Sequence, residues 1–445
     1  MNRLKQLWNN LRSSFWFLPS CIVLGSIVIA LALIHLDAVG DQQWMSRWPR
    51  LFGASAAGAR GVLSTIAGSM MTVVGVTFSM VLVTLALASS QYTSRILRNF
   101  MRDRVTQVVL GVFAGIFSYC LILLRTIRGG DAAGFIPSVA VTFGVVLAIG
   151  GIGVLIFFIH HIAASIQASS IIASVAGETL DAVDRLFPGK LEENAGGEGE
   201  ERPHDPMPTR NWRAVPAPRS GYIQSLDDVT LLRVAKEQNT LVRMERGVGE
   251  FVVRDTPLVW LDQREAPGDD IIADLQNAYG IDRHRTVDQD AGFGIRQLVD
   301  MALRALSPGI NDTTTAVMCV DYLTAILSRL VTKGIPSSHR YEDGELRVIG
   351  IGPDFASLVA GSFDEIRGSA SGNVAIMLRM LDALQTIGSL THDAGRRRVL
   401  SEQLVCIGEA GSQAIPYTHD RARFDQRLSQ VRVSLGSPPC TGAES

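Results

Sequence analysis

Long apolar stretches separated by charged segments dominate the N-terminal part of the chain. The longest, 132–177, runs forty-six residues without Asp, Glu, Lys or Arg. That is more than twice the roughly 20 residues that a helix needs to cross a bilayer. Three other stretches are also long and apolar enough to span a membrane. The pattern predicts four transmembrane helices, with no charge in their interiors: Phe15–Ile34, Val62–Ser89, Val105–Leu124 and Ile136–His160.

The fourth apolar stretch is longer than a membrane is thick. Its second part is rich in Ala, Ser and Ile, and a stripe recurs there in steps of four and three residues, the spacing of one helix face. We therefore predict that the helix continues beyond the bilayer over 162–188. The stripe suits either another copy of the chain or the protein's own cytoplasmic domain. It comprises Ile162, Ile166, Ser169, Ala173, Ala176, Leu180, Val183 and Phe187.

The remainder of the chain changes from apolar runs to shorter alternating patterns. Residues 189–218 are rich in Glu, Gly and Pro and predict a linker. Residues 219–262 alternate like strands, and part of them resembles the half-motif of barrel-sandwich domains. Residues 263–435 predict an α-helical domain, interrupted by a hairpin whose Asp343-Gly344 pair suits a type I′ turn. Its predicted helices are Asp269–Ala278, Phe293–Leu306, Asp312–Leu330, Phe355–Ile366, Val374–Ile387 and Ala394–Gly408. Residues 436–445 are predicted to form a disordered tail.

These patterns predict an α-helical membrane protein: a four-helix transmembrane domain, 1–161, and a cytoplasmic mixed domain. Of its 445 residues, 47% are hydrophobic and only 19% are charged, against about 25% charged in soluble domains. The net charge of −2 gives no basic field, so we predict no nucleic-acid partner. The triple Arg396-Arg397-Arg398 is interpreted as a solvated helix face.

Basic residues between the predicted spans indicate an orientation. Seven lie on the side of the amino end and five on the opposite side. Since cytoplasmic loops carry the excess of Lys and Arg, we predict a multi-pass protein of the bacterial inner membrane with both termini in the cytoplasm. The seven are Arg3, Lys5, Arg12, Arg95, Arg98, Arg102 and Arg104, and the five are Arg47, Arg50, Arg60, Arg125 and Arg128.

Hydroxylic residues form a stripe on the second predicted helix. The residues that recur there at helical spacing are Thr65, Ser69, Thr72, Val76, Ser79, Val83 and Ser90. Such a stripe is typical of a close-packed helix interface, because small side chains let backbones approach. The alternative is a hydrated path that the hydroxyls line. Glycines on the third and fourth helices indicate close packing in the same way: Gly111, Gly115, Gly144, Gly150, Gly151 and Gly153.

Ionisable residues are absent from the interiors of the predicted spans. An ion-coupled pump or a voltage sensor needs such charges at membrane depth, so a transport function here would be that of a passive channel. His160 and His161, at the cytoplasmic edge of the fourth span, are candidate gate residues. A structural role for both histidines is the alternative.

The segment ending in Ala-Leu-Ser-Pro-Gly-Ile-Asn-Asp312 predicts a helix, a break and a second helix that is capped by Asn311 or Asp312. The alternative interpretation is a ligand or anion site at the start of the second helix, where free amides face outward. Arginines one helix earlier could complete such a site. Its candidate residues are Arg296, Arg304, Asn311, Asp312, Thr313 and Thr314.

This motif resembles that of a widespread bacterial family of integral membrane proteins, a domain of unknown function marked by a helix ending in ALSPGIND. The resemblance extends to Phe78-Ser79 and Ala88–Tyr92 in the second span and to Phe158–His161 in the fourth. Family members usually have proline after the final aspartate, where this chain has Thr313. The resemblance implies the architecture and no particular activity.

Motifs for catalysis, cofactors or metals do not accompany this architecture. The chain has no G-x-S-x-G, H-E-x-x-H or Walker A sequence, and its five cysteines lack disulfide or zinc spacing. We predict a non-enzymatic homo-oligomer that forms a passive channel controlled by its cytoplasmic domain. One alternative is a membrane-anchored scaffold or sensor that binds an unknown small ligand or protein. An enzyme acting at the membrane surface is the third hypothesis.

Overall fold

The computed structural model describes residues 16–39, 55–91, 103–127, 135–165, 167–187, 189, 211–370 and 372–436. The chain divides into two compact units, 1–167 and 168–445, which we call the N-terminal unit and the C-terminal unit. Most of the predicted linker and the predicted tail lie outside the described residues. So do most of the basic residues on which the orientation rests.

Four apolar helices make up the described part of the N-terminal unit, and they confirm the four predicted spans. Each is long and apolar enough to cross a bilayer. Contacts at glycines place the first helix parallel to the third and the second parallel to the fourth, with the third and fourth antiparallel, so the described helices form an up-and-down bundle. The helices are α1 (Phe17–Val39), α2 (Ala56–Gln91), α3 (Arg104–Thr126) and α4 (Ser138–Ser165).

Glycines let the helices of this bundle approach closely. A Cβ on Gly111 would lie 2.8 Å from Ile22 Cδ1, and one on Gly115 would lie 2.5 Å from Ser26 Oγ. The predicted G-x-x-x-G pair of α3 therefore packs directly on α1. Side chains that are almost fully buried fill the rest of the interior: Leu63, Phe113, Tyr119, Leu123 and Phe158.

The forty-six-residue run without charges forms two helices rather than one. Helix α4 ends at Ser165, and α5 (Ala168–Leu186) follows it. The Gln167 N–H donates to the Ala164 carbonyl at 3.3 Å, a bond over three residues that tightens the last turn and ends α4. The prediction of a single unbroken helix is therefore wrong at this point.

The C-terminal unit combines further helices with a small sheet region. Most of its helices begin and end close to the predicted residues, whereas the first and last of the series were not predicted. They are α6 (Asp228–Glu237), α7 (Asp269–Ala278), α8 (Ala291–Leu306), α9 (Thr313–Leu330), α10 (Phe355–Ser369), α11 (Val374–Ser389), α12 (Ala394–Ala414) and α13 (Thr418–Leu435).

The strands form a five-stranded sheet of order β1-β5-β3-β8-β7 and a three-stranded sheet of order β4-β2-β6. A barrel-sandwich module at 219–262 is not confirmed, because α6 lies inside this range and β6, β7 and β8 come from outside it. The strands are β1 (Trp212–Pro216), β2 (Gly221–Leu226), β3 (Val242–Met244), β4 (Phe251–Val252), β5 (Pro257–Asp262), β6 (Tyr279–Asp282), β7 (His339–Glu342) and β8 (Glu345–Ile349).

The predicted hairpin joins the β region to the helices that follow it. Asp343 and Gly344 both have positive φ, 53° and 79°, as a type I′ turn requires. Strand β8 then pairs parallel with β3, while the other strand pairs are antiparallel. The turn chemistry was therefore predictable, but the long-range pairing was not.

Helix α5 is built into the core of the C-terminal unit. It packs on α8 and α9, and Thr179 lies so close to Gly294 of α8 that no side chain fits there. Asp184 accepts hydrogen bonds from Arg329 (2.7 Å) and lies 3.0 Å from Lys333 Nζ. The buried face is turned about one residue from the predicted stripe and comprises Ile171, Ile172, Val175, Ala176, Thr179, Ala182 and Val183.

Candidate functional site

The hydroxyl stripe of α2 lies on the side of that helix that faces away from the bundle. Thr65, Ser69, Thr72 and Ser79 are all exposed. At roughly 100° per residue, the stripe lies opposite the face that packs on the other helices. That packed face comprises Ala59, Leu63, Ala67, Met70, Thr77 and Val81. The candidate path-lining residues are thus brought together on one surface, but they do not line the interior of a single bundle.

This outer surface of α2, which we call the α2 face, consists mainly of small residues, with the side chains of Val76 and Val83 also exposed on it. Gly61, Gly68 and Gly75 alternate with the hydroxyls, and a Cβ on any of them would meet nothing within 4 Å. The Thr65 hydroxyl donates to the Gly61 carbonyl at 2.9 Å, and the Thr72 hydroxyl donates to the Gly68 carbonyl at 3.1 Å. Their protons are satisfied within the helix, while the oxygens still present acceptor lone pairs.

The exposed surfaces of α1 and α4 have a different character. Large apolar side chains cover them, including Leu24 and Val28 on α1 and Val146, Ile149 and Ile156 on α4. Such surfaces suit contact with lipid tails. Small residues at helical spacing are instead the composition of helix–helix contacts in membranes. The α2 face therefore differs from the apolar surfaces of the same bundle.

His160 and His161 occupy different environments. His160 is exposed, whereas His161 is partly buried and its Nε2 lies 2.9 Å from the Asp103 carboxylate. Asp103 also caps α3 by accepting from the Val105 and Thr106 amides. Burial raises the pKa of Asp103, but hydrogen bonds from Thr106, His161 and Val105 outweigh it and leave the pKa below its usual value. Of the two histidines, His161 is thus the one with a carboxylate partner among the described residues.

The opposite end of the bundle has charged residues that the sequence did not single out. Asp37, 5% exposed in the last turn of α1, accepts from the Val139 and Ala140 amides at 3.3 and 3.0 Å. It therefore caps the N-terminus of α4, where a negative charge is favourable. Asp37 lies just beyond the predicted span Phe15–Ile34, and a charge at a span's edge resembles ordinary flanking sequence.

Arg60 plays the complementary role at this Asp37 end. Its guanidinium donates to the Ile127 carbonyl at 2.6 Å, so a cation meets the negative C-terminus of α3. The Tyr119 hydroxyl donates to the Ala140 carbonyl at 2.7 Å in the buried interior. These polar contacts hold helix ends together, and they leave no charged group of the described residues in the middle of the bundle.

The turn after α8 adopts the predicted capped form. Asn311 has a positive φ of 49°, and Asp312 is the residue that caps α9, accepting from the Thr315 amide at 3.0 Å and from its hydroxyl at 2.6 Å. These bonds, first the one from the hydroxyl, hold the pKa of Asp312 below its usual range. Thr313 accepts a hydrogen bond from the Asn373 side chain at 2.9 Å. Thr314 is exposed.

Arg296, one of the two arginines of the candidate ligand site, is engaged with other groups. Arg296 pairs with Asp300 at 2.7 Å and with Glu365 of α10, so two carboxylates already neutralise it. The Arg304 carbonyl accepts from the Ser307 hydroxyl at 2.6 Å. The carboxylate of Asp312 occupies the helix N-terminus that an anion would use. The cap residues therefore lie close together, but Arg296 is already paired and does not join them.

Metal ligands do not cluster in the described part of the chain, where no group of three or more His, Cys, Asp or Glu side chains could hold an ion.

Arg396 departs from its interpretation as a solvated residue. It is 1% exposed and donates to the Val331 and Lys333 carbonyls at 2.6 Å each. Arg398 of the same triple is exposed. One arginine of the triple therefore belongs to the core.

Comparison with known proteins decides the family. The model of a family described as "Predicted membrane protein (DUF2254)" matches residues 12–386. The chain belongs to this family. It is 33% identical over 432 residues to the uncharacterized proteins Rv1290c of Mycobacterium tuberculosis and Mb1321c of Mycobacterium bovis, covering 95% of this chain and 81% of each relative. No solved structure matches. The predicted resemblance is thereby confirmed, and these descriptions assign no activity.

Proposed function

We propose that this membrane protein is a homo-oligomeric passive channel of the bacterial inner membrane, with its conducting path between copies of the chain. The observation that carries the proposal is the α2 face, whose glycines and hydroxyls lie opposite the packed side of the helix. Small residues allow backbones of neighbouring copies to approach, and hydroxyl oxygens can line water.

A path inside one bundle has less support than a path between bundles. Large side chains such as Phe113, Tyr119 and Phe158 fill the interior and are 0–1% exposed. The exposed surfaces of α1 and α4 are apolar and suit lipid. If copies meet through α2, the hydroxyls that a single chain leaves uncovered become the lining of a shared axis.

The short connection between α4 and α5 supports control of the bundle by the C-terminal unit. Two residues separate Ser165 from Ala168, and α5 is buried against α8 and α9. A displacement of the helical core around α5 therefore has only a short connection through which to act on α4. In this proposal both termini and the C-terminal unit are cytoplasmic, as the basic residues of the sequence favour.

The second candidate function is a membrane-anchored scaffold or sensor without transport. The turn between α8 and α9 favours it, since Ile310 is 44% exposed beside the positive-φ residue Asn311. An apolar side chain on a fixed, capped turn could contact a protein or small ligand. In that case the α2 face is only a packing surface.

Cysteine accessibility separates the two functions. In a background whose native cysteines are replaced by alanine, single cysteines at Thr65, Thr72 and Ser79 should react with a membrane-impermeant thiol reagent, because a hydrated path brings both reagent and water. Cysteines at Leu24 and Ile149, on the lipid-facing surfaces of α1 and α4, are the matched controls and should stay inert.

Conductance provides the functional arm of the test. In reconstituted bilayers Ser79→Leu should suppress the current, because it replaces a polar lining atom with a dewetting constriction. Ser79→Thr keeps the hydroxyl and should conduct. If the stripe positions are as unreactive as the controls, and the protein passes no current with common ions, the channel is wrong and the anchored sensor remains.

A further inference from the structure

A groove opens on the N-terminal unit between α1 and α3, near the Asp37 end. Its volume is about 580 Å³, and its described lining is formed by Leu31, Ile122, Arg125, Thr126 and Phe135. Leu31 comes from α1, the next three residues come from the last turns of α3, and Phe135 precedes α4. The groove is partly open to its surroundings. It therefore faces whatever surrounds the bundle.

The wall of the groove suits a hydrocarbon chain. Leu31, Ile122 and Phe135 are apolar, and Leu31 is 55% exposed. Leu24 and Val28 precede Leu31 at spacings that place all three on one face of α1, and they are 61% and 64% exposed. This ridge runs about 10 Å along the helix at 1.5 Å per residue. A small water-soluble ligand would not cover such an extended apolar surface.

The mouth of the groove suits an anionic headgroup. Arg125 is exposed in the last turn of α3, at the edge of a membrane-spanning segment, where lipid phosphates lie. Ile122 is three residues before Arg125, so the apolar wall and the cation share one face of α3. Arg60, another arginine near this end, is instead directed at the Ile127 carbonyl.

The geometry points to a binding site for one anionic phospholipid, with an acyl chain along Leu31 and Ile122 and its phosphate against Arg125. The combination of an apolar wall and a cation at headgroup depth distinguishes this occupant from a free phosphate, which needs no wall. A second copy of the chain is less suited, because large residues rather than small ones line this surface. The inference is independent of conduction and of the α2 face.

Lipid retention by the full-length protein tests the site. Delipidated protein in mild detergent is titrated with phosphatidylglycerol and with phosphatidylcholine of identical chains, and bound lipid is counted by native mass spectrometry. Phosphatidylglycerol should bind more tightly. Arg125→Gln should weaken it about fivefold, the factor that one interfacial cation contributes, and Arg125→Lys should restore binding. Arg104→Gln, at the other end of the same helix, should change nothing.

A separate variant tests the apolar wall of the groove. Ile122→Trp fills the groove and should reduce retention of both lipids, while its melting temperature shows whether the bundle still folds. Equal affinity for the two lipids, or an equal effect of Arg104→Gln and Arg125→Gln, would overturn the site. Displacement by glycerol phosphate would show a free-phosphate site instead. Crosslinking between copies through Leu31→Cys would show that another chain covers the groove.

Discussion

Arg396 is a cation held in the interior by carbonyl oxygens rather than by a carboxylate. It meets the carbonyls of Leu330, Val331 and Lys333 just after α9 ends, and its guanidinium carbon lies 5.2 Å from the Phe355 ring centroid. Burial lowers the pKa of Arg396 to about 10, so it remains charged at neutral pH. It closes the C-terminus of α9, whose dipole favours a cation.

Arg396→Met should destabilise the C-terminal unit by roughly 3 kcal/mol, because several buried carbonyls lose their donor. The matched control is Arg398→Met, two residues along the same helix. Arg398 is exposed and its ion-pair partner among the described residues is Glu402, so its loss should cost less than about 0.5 kcal/mol. Thermal melting of the full-length protein measures both, and equal effects would contradict the capping role.

Asp37→Ala should loosen the Asp37 end of the bundle by about 1–2 kcal/mol, because two amides of α4 lose their acceptor and the helix loses a favourable charge. Asp37→Asn keeps an acceptor and should lose less. The measurement is the melting temperature of the protein in detergent. If alanine and asparagine match the native protein, the carboxylate does not cap α4.

Asp184 gives a contact that depends on pH. Hydrogen bonds from Arg329 and Lys333 lower its pKa to about 2. Because this pKa is lower in the folded state, the ionised carboxylate stabilises the folded protein at pH values above the unfolded pKa of 3.8. That stabilisation is lost as the pH falls toward about 2. Asp184→Asn should therefore melt slightly lower than the native protein at pH 7, with the gap closing between pH 4 and 2. Because Asp184 is exposed, salt should shrink the gap too.

At the scale of single residues, the sequence predicts what a side chain can do but not which groups surround it in the fold. The sequence predicts a cap at Asn311 or Asp312, since either residue before a run of threonines has one obvious local role, and Asp312 is the residue that caps α9. Arg396 could not be placed, because three consecutive arginines point to three sides of a helix and the pattern does not tell which side is buried. Asp37 was missed because its partners are about 100 residues away in the sequence.

At the scale of elements, α2 has two faces of different composition. Length and apolarity alone predicted the helix, and helical spacing predicted the stripe. Which side of α2 packs on the other helices could not be predicted, because the residues on both faces are apolar or small. The same weakness affects α5, whose Ala and Ser residues give little contrast between faces. Helix α13 was missed since only Phe424, Val431 and Leu435 are buried in it.

Helix α5 offers a test of where its small residues pack. Ala176 is fully buried on α8 and α9, so Ala176→Leu should overpack the core and lower the stability of the C-terminal unit by about 1–3 kcal/mol. Ser174, on the same helix, is exposed, and Ser174→Leu should be nearly neutral. Should Ala176→Leu leave melting unchanged and alter oligomer size instead, the helix packs against another copy.

At the scale of the whole molecule, the arrangement across the membrane remains a prediction. Reporter fusions after Gly189 and after Gly130 should report opposite sides, with Gly189 in the cytoplasm. The reason is the excess of basic residues near the amino end and after the second span. A periplasmic signal from the Gly189 fusion would contradict the orientation and place the C-terminal unit outside the cell.

The position of the α2 face on the outside of each bundle has a genetic consequence. A path enclosed by one chain would be damaged only in the chain that carries a mutation. A path shared between copies is narrowed for every partner, so a single Ser79→Leu subunit would impair an assembly of otherwise normal subunits. Coexpression of both alleles should then show dominance rather than half of the normal activity.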